Sequence, residues 1–175
     1  EKNDMNRIPR TVKILSIISE LDGKVESSKK FQKLVFLAQF LGDDFGQEFK
    51  FHFYSVYSSS LTFDLNYAKE AGLIDFNKNY LPHTIELKEE GSDFLKQVNA
   101  HYEGIQNIEI IKILNKETPT FLEVLSTIVY LNMKNYPKGK IEKKLREIKG
   151  HLERHFDKAF GFARDILYPK VIMKR

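Results

Sequence analysis

The chain contains no cysteine. Disulfides, thiolate-held zinc and cysteine nucleophiles are thereby excluded, and the composition is compatible with a reducing compartment. No apolar run approaches the roughly 20 residues that span a bilayer. The polar stretch Glu1 to Arg7 holds no signal-peptide hydrophobic core, so a cytoplasmic protein with no membrane association is expected. A phosphate-cradling Gly-rich loop and a nucleophile elbow are also missing. Asp43-Asp44 reads as a loop rather than an acid/base pair, and Ser58-Ser59-Ser60 as helix-capping residues rather than a nucleophile. The expectation is a non-enzymatic protein without a cofactor.

What is present belongs to a globular domain. In 175 residues, 42% are apolar and 30% charged, enough to bury a real core. The net charge of +4 is unevenly placed. Lys134 to Arg175 carries 13 of the 28 basic residues and 5 of the 24 acidic ones, a balance of +8 that leaves the remainder at −4. Attraction to nucleic acid is to be sought first in that C-terminal quarter, with a solvated lysine-rich helix face as the alternative.

Apolar periodicity sets the order of elements. After Pro9, residues Ile14, Leu15, Ile17, Ile18 and Leu21 recur at helical spacing and stop at Asp22-Gly23. Ser27 or Ser28 caps a second helix through Phe31, Leu34, Val35, Phe36, Leu37, Ala38, Phe40 and Leu41. That helix is apolar nearly all round and must be buried on most sides, with the C-terminal helices as its cover. Phe49 to Phe53 alternates as a short strand within an aromatic segment, 45–57. Ser59 and Ser60 then cap a third helix carrying Leu61, Leu65 and Ala68, which ends at Gly72.

Leu73 to Phe76 and Thr84 to Leu87 alternate as strands around the turn Asn77-Lys78-Asn79, and Glu89-Glu90 opens a helix with Phe94, Leu95 and Val98 inward. Helices follow over Ile105 to Leu114 and Pro119 to Met133, then along the stripes Ile141-Leu145-Ile148-Leu152 and Phe156-Phe160-Ala163-Leu167. The expected fold is mainly α with a small β-hairpin. It comprises a winged helix-turn-helix core over 8–104 and a C-terminal helical extension over 105–168, packed as one integrated domain.

In such a fold the third helix reads DNA from its outward face. Here that face holds Phe63, Asn66, Tyr67 and Glu70, with Thr62 and Lys69 on one flank. Base edges are read mostly by Arg, Lys, Asn or Gln, so Asn66 and Lys69 suit double-stranded DNA, whereas Phe63 and Tyr67 suit a protein interface or homodimer. Lys78 in the wing turn can reach a phosphate. Lys143 and Arg146 lie opposite the Ile141-Leu145-Ile148 stripe, with Lys140, Lys144 and Lys149 on its flanks, and Lys140, Lys143, Arg146 and Lys149 are expected to supply the phosphate contacts. His151 and His155 have metal-ligand spacing, but no third ligand is evident and Arg154 adjoins them, so no metal is expected.

Three segments carry a family resemblance: Lys30-Phe31-Gln32-Lys33-Leu34-Val35-Phe36-Leu37-Ala38-Gln39, Phe51-His52-Phe53-Tyr54-Ser55-Val56-Tyr57-Ser58, and Leu61-Thr62-Phe63-Asp64-Leu65. They resemble the YwgA family of small prokaryotic winged-helix-like proteins, distantly similar to the Panacea domain found in some antitoxins. The resemblance covers about Thr11 to Lys96, with a looser match beyond. Ser55 and Val56 replace the Gly and Pro of the family's usual Tyr-Gly-Pro-Tyr-Ser motif. The resemblance implies an intracellular, non-enzymatic module with no defined cofactor. It implies DNA binding by fold analogy and, through the Panacea relatives, protein partners such as a toxin.

Overall fold

The computed structural model describes residues 7–173. The stretch 1–6, on which the cytoplasmic expectation leans, lies outside the described residues. Helix α1 (Arg7–Glu20) buries Val12, Ile14, Leu15, Ile17 and Ile18. It stops where Asp22 and Gly23 take φ of 63° and 79°, and the short strand β1 (Lys24–Val25) follows. Helix α2 (Ser28–Phe40) is capped by Ser27, whose Oγ accepts the Lys30 N–H at 3.0 Å. Every residue from Lys30 to Ala38 is buried, as the all-round apolar pattern requires.

Strands β2 (Lys50–His52) and β3 (Ser55–Tyr57) form an antiparallel hairpin of their own, where the sequence indicated one strand. Helix α3 (Ser59–Glu70) is capped by Ser58 and not by Ser59 or Ser60. Ser58 Oγ accepts the Leu61 N–H at 3.1 Å, while Ser60 Oγ donates to Gln47 Oε1. Gly72, at φ 77°, reverses the chain into β4 (Ile74–Asn77), which pairs antiparallel with β5 (Thr84–Leu87). β1 adds to the far edge of β5, giving a three-stranded sheet in the order β1-β5-β4.

Helix α4 (Glu89–Val98) lies so close to the sheet that a Cβ on Gly91 would stand 2.2 Å from the Leu73 carbonyl oxygen. That approach explains a glycine inside a helix. A 3₁₀ turn (Asn99–His101) leads on to α5 (Ile108–Asn115), which begins three residues later than its apolar pattern suggests. The reason is Asp43, which is buried and not part of a solvated loop. Its carboxylate accepts the backbone N–H groups of Gln106 and Asn107 at 2.7 and 3.2 Å and so sets the start of α5.

Helix α6 (Pro119–Met133) is buried nearly all round and packs on α2 and β3, so the expected cover of α2 comes from this helix together with α5. Then follow α7 (Lys138–Lys149), a 3₁₀ turn (Gly150–His155), α8 (Phe156–Phe162), a π-type turn (Ala163–Leu167) and α9 (Tyr168–Ile172). The described residues are thus mainly helical with two small antiparallel sheets. No helix among the described residues is long and apolar enough to cross a membrane.

Candidate binding surfaces and a lysine-lined cleft

Helix α3 buries Leu61, Asp64, Leu65 and Ala68 and turns Phe63, Asn66, Tyr67, Lys69 and Glu70 outward. Phe63 is 57% and Tyr67 39% exposed, with the Arg7 guanidinium 5.4 and 4.6 Å from their ring centres. Lys69 sits over Phe76 at 5.0 Å, tying the end of α3 to β4. Lys78 is exposed in the β4–β5 turn. Behind α3, Asp64 is 1% exposed and accepts Arg10 Nε at 2.8 Å and Gln47 Nε2 at 2.8 Å.

On α7, Lys140, Lys143 and Arg146 are exposed. Among the described residues no carboxylate pairs with Lys140 or Lys143, and Arg146 has only Glu153 at 4.0 Å. Lys149 is a correction to the sequence reading. It is 3% exposed because it continues the Ile141-Leu145 stripe at the same four-residue step, so it faces inward and cannot meet a phosphate. The structure also divides the candidate residues between two layers. Asn66, Lys69 and Lys78 belong to α3, which packs on α1 and β4, and to the adjoining hairpin. Lys140, Lys143 and Arg146 belong to α7, which packs on α6. His151 and His155 fall on a 3₁₀ turn broken at Leu152, and His155 Nε2 lies 3.2 Å from Thr120 Oγ1.

The site that sequence reasoning missed lies between α2, the β2–β3 hairpin and α6. Lys33 is 2% exposed, and its ammonium donates to Ser55 Oγ at 2.6 Å and to the Val56 carbonyl. Lys149 reaches in from α7 and donates to the Tyr54 carbonyl at 2.6 Å and to Glu123 Oε1 at 3.1 Å. Lys29 holds Glu123 Oε2 at 2.8 Å. Two buried lysines therefore clamp the hairpin to the helices, and Glu123 is their counter-charge. Gln32 completes the frame, exchanging two 2.9 Å hydrogen bonds with the Ser58 backbone and donating to Thr62 Oγ1.

The clamped turn is strained. Phe53 and Tyr54 take φ of 47° and 60°, although neither is a glycine. Two such adjacent positions cost on the order of 2 kcal/mol and persist only where the surroundings impose them. Both rings project into solvent, 86% and 66% exposed. Beside Phe53 a cleft of 630 Å³ opens between the hairpin and the first turns of α2.

Burial governs the electrostatics of this cleft. It pushes the Lys33 amine down from 10.5 to about 8, with Glu123 opposing and Lys29 and Lys149 reinforcing the shift. Burial alone would raise the Glu123 carboxyl, but the hydrogen bonds and charges of Lys29 and Lys149 outweigh it and hold it below its ordinary value. One signal for the site was legible in advance. A helix apolar on all sides must bury its few polar residues, and a buried lysine demands acceptors.

Among known proteins the chain has a distant relative. The chain is 28% identical over 124 residues to a protein named "Uncharacterized protein YwgA" of Bacillus subtilis (strain 168). The match spans 69% of this chain and 73% of that protein. This similarity supports the YwgA-like resemblance carried by the α2, hairpin and α3 segments. No family model matches the chain.

Proposed function

We propose that the chain is a non-enzymatic nucleic-acid-binding protein built on a winged helix-turn-helix core, and that α7 supplies its phosphate contacts. The order α1-β1-α2-α3-β4-β5 with a β1-β5-β4 sheet fits such a core, the 78–83 connection standing as the wing. The β2–β3 hairpin inserted between α2 and α3 is its departure from that plan. The observation that carries the reading is the outer face of α7, where Lys140 and Lys143 stand exposed without carboxylate partners among the described residues and Arg146 has one only at 4.0 Å. Such a face recognises a polyanion through its phosphates rather than its bases. The aromatic outer face of α3 argues against base reading by that helix. Asn66, Lys69 and Lys78 remain candidates for orienting the duplex.

Fluorescence anisotropy of a labelled random duplex, with a single strand as control, tests this. For three phosphate contacts, raising salt from about 50 to 200 mM should weaken binding roughly 40-fold. The Lys143→Glu, Arg146→Glu double variant should abolish it. Affinity unchanged by the reversals would sink the assignment.

A second reading is favoured by one observation, the exposure of Phe63 and Tyr67 beside Arg7. Aromatic and arginine side chains dominate the energetics of protein interfaces, and a second copy of this chain would cover the patch. Sedimentation equilibrium would then show a dimer that the Phe63→Ala, Tyr67→Ala double variant returns to monomer. A monomer at all concentrations would leave only an unrelated, antitoxin-type partner for this surface.

A further inference from the structure

We propose that the cleft between α2 and the β2–β3 hairpin binds a small planar organic anion, its carboxylate or phosphate held by Lys29 and the first turn of α2 and its flat part laid against His52 and Tyr57. At 630 Å³ the cleft is of the size that holds a metabolite-sized molecule. Lys29 and Lys33 line it, and Lys149 pairs with the one lining carboxylate, Glu123, from outside the lining, so three ammonium groups act on the cleft against a single carboxylate. Both Glu123 oxygens already accept from lysines, so the charge left over is positive and selects an anion.

The mouth of the cleft includes Ser28 and Lys29, which open α2. The Lys30 N–H of that turn is taken by Ser27 Oγ, but those of Ser28 and Lys29 have no acceptor within the helix, and the helix dipole places its positive end there. The hairpin side supplies rings. His52 and Tyr57 lie with centres 6.1 Å apart and planes 36° from parallel, and both line the cleft. A planar molecule can stack on this wall, whereas a compact inorganic anion would leave it unused.

The wall is also pre-organised. Lys149 holds the carbonyl of Tyr54, within the strained Phe53-Tyr54 turn, and Lys33 holds Ser55 and Val56 just after it, so little further ordering is needed when a ligand enters. The cleft includes no residue of the exposed face of α7, so anion binding here is independent of nucleic-acid binding there.

Titration calorimetry with salicylate and adenosine 5′-monophosphate tests both headgroups, with cyclohexanecarboxylate and inorganic phosphate as non-planar controls. At least one planar anion should bind at a single site, at least about tenfold more tightly than the control sharing its headgroup. Lys29→Ala, a change at an exposed side chain, should weaken it about tenfold. Lys33→Met should weaken it too, and raising pH from about 7 to 9 should cost the wild type up to tenfold as the Lys33 ammonium is lost. The Lys143→Glu, Arg146→Glu variant should bind the anion unchanged. No binding of either planar anion at about 10 mM would overturn the proposal, as would equal binding of the controls or an unaltered affinity in Lys29→Ala.

Discussion

Replacing Glu123 by Gln should destabilise the protein by about 3 kcal/mol, the low end of the range for removing one partner of a buried ion pair. The Glu123 side chain is 12% exposed and joins Lys29 to Lys149, whose own side chain is 4% exposed. Without the carboxylate, Lys149 and Lys33 remain as like charges inside the protein with only neutral acceptors, the Tyr54 and Val56 carbonyls and the Ser55 hydroxyl. For a chain of this length the midpoint of thermal unfolding should fall by roughly 6–12 °C. Combining Glu123→Gln with Lys149→Met removes one of the two stranded charges and its repulsion of the other, and the double variant should be more stable than the single one. Acid supplies a second readout. The folded carboxyl titrates below its ordinary value of 4.5, so its contribution is complete above that pH and disappears as pH falls through the folded value. Glu123→Gln should therefore lose less stability on acidification than the wild type. A destabilisation below about 1 kcal/mol, as for an exposed ion pair, would show that the network adds little.

Most of the architecture could be read from periodicity because burial follows local pattern. The apolar girdle of α2, the β4–β5 alternation, the Thr118-Pro119 start of α6 and the Gly72 turn all stand where the residues place them. What could not be read depends on partners distant in sequence. The two residues of β1 carry no alternation of their own and become a strand only by pairing with β5, some 60 residues away. Asp43 acquires its role from the start of α5, and Asp64 from Arg10 and Gln47. Lys149 looks like one more cation on a basic helix, yet its amine meets the Tyr54 carbonyl across 95 residues. The charged surface of α7 was legible because exposure needs no partner. The cleft was not, because it is assembled from α2, the hairpin, α3 and α6.

Lys33 should make the protein gain stability relative to a Lys33→Met variant as the solution becomes alkaline. In the unfolded chain the amine keeps its proton up to about 10.5, whereas in the folded protein burial releases it at about 8. Below that lower value both states are protonated, and the full cost of burying the ammonium is present without any dependence on pH. Between the two values the unfolded state binds more protons, so raising pH favours the folded state. Integrated over that window, the gain approaches about 3 kcal/mol. Urea unfolding of both proteins at intervals from pH 7 to 10.5 isolates this group, since titrations elsewhere are common to the two. At pH 7 the Met variant gives up the hydrogen bonds to Ser55 and Val56 but no longer buries a charge, and these changes oppose one another. The difference between the two proteins should therefore be small at neutral pH and open in favour of the wild type above pH 8. Parallel curves across the whole range would mean that the Lys33 ammonium stays hydrated in the folded protein. A crossing near pH 8 would establish that α2 holds an amine able to change its charge close to neutrality, against the wall of the cleft.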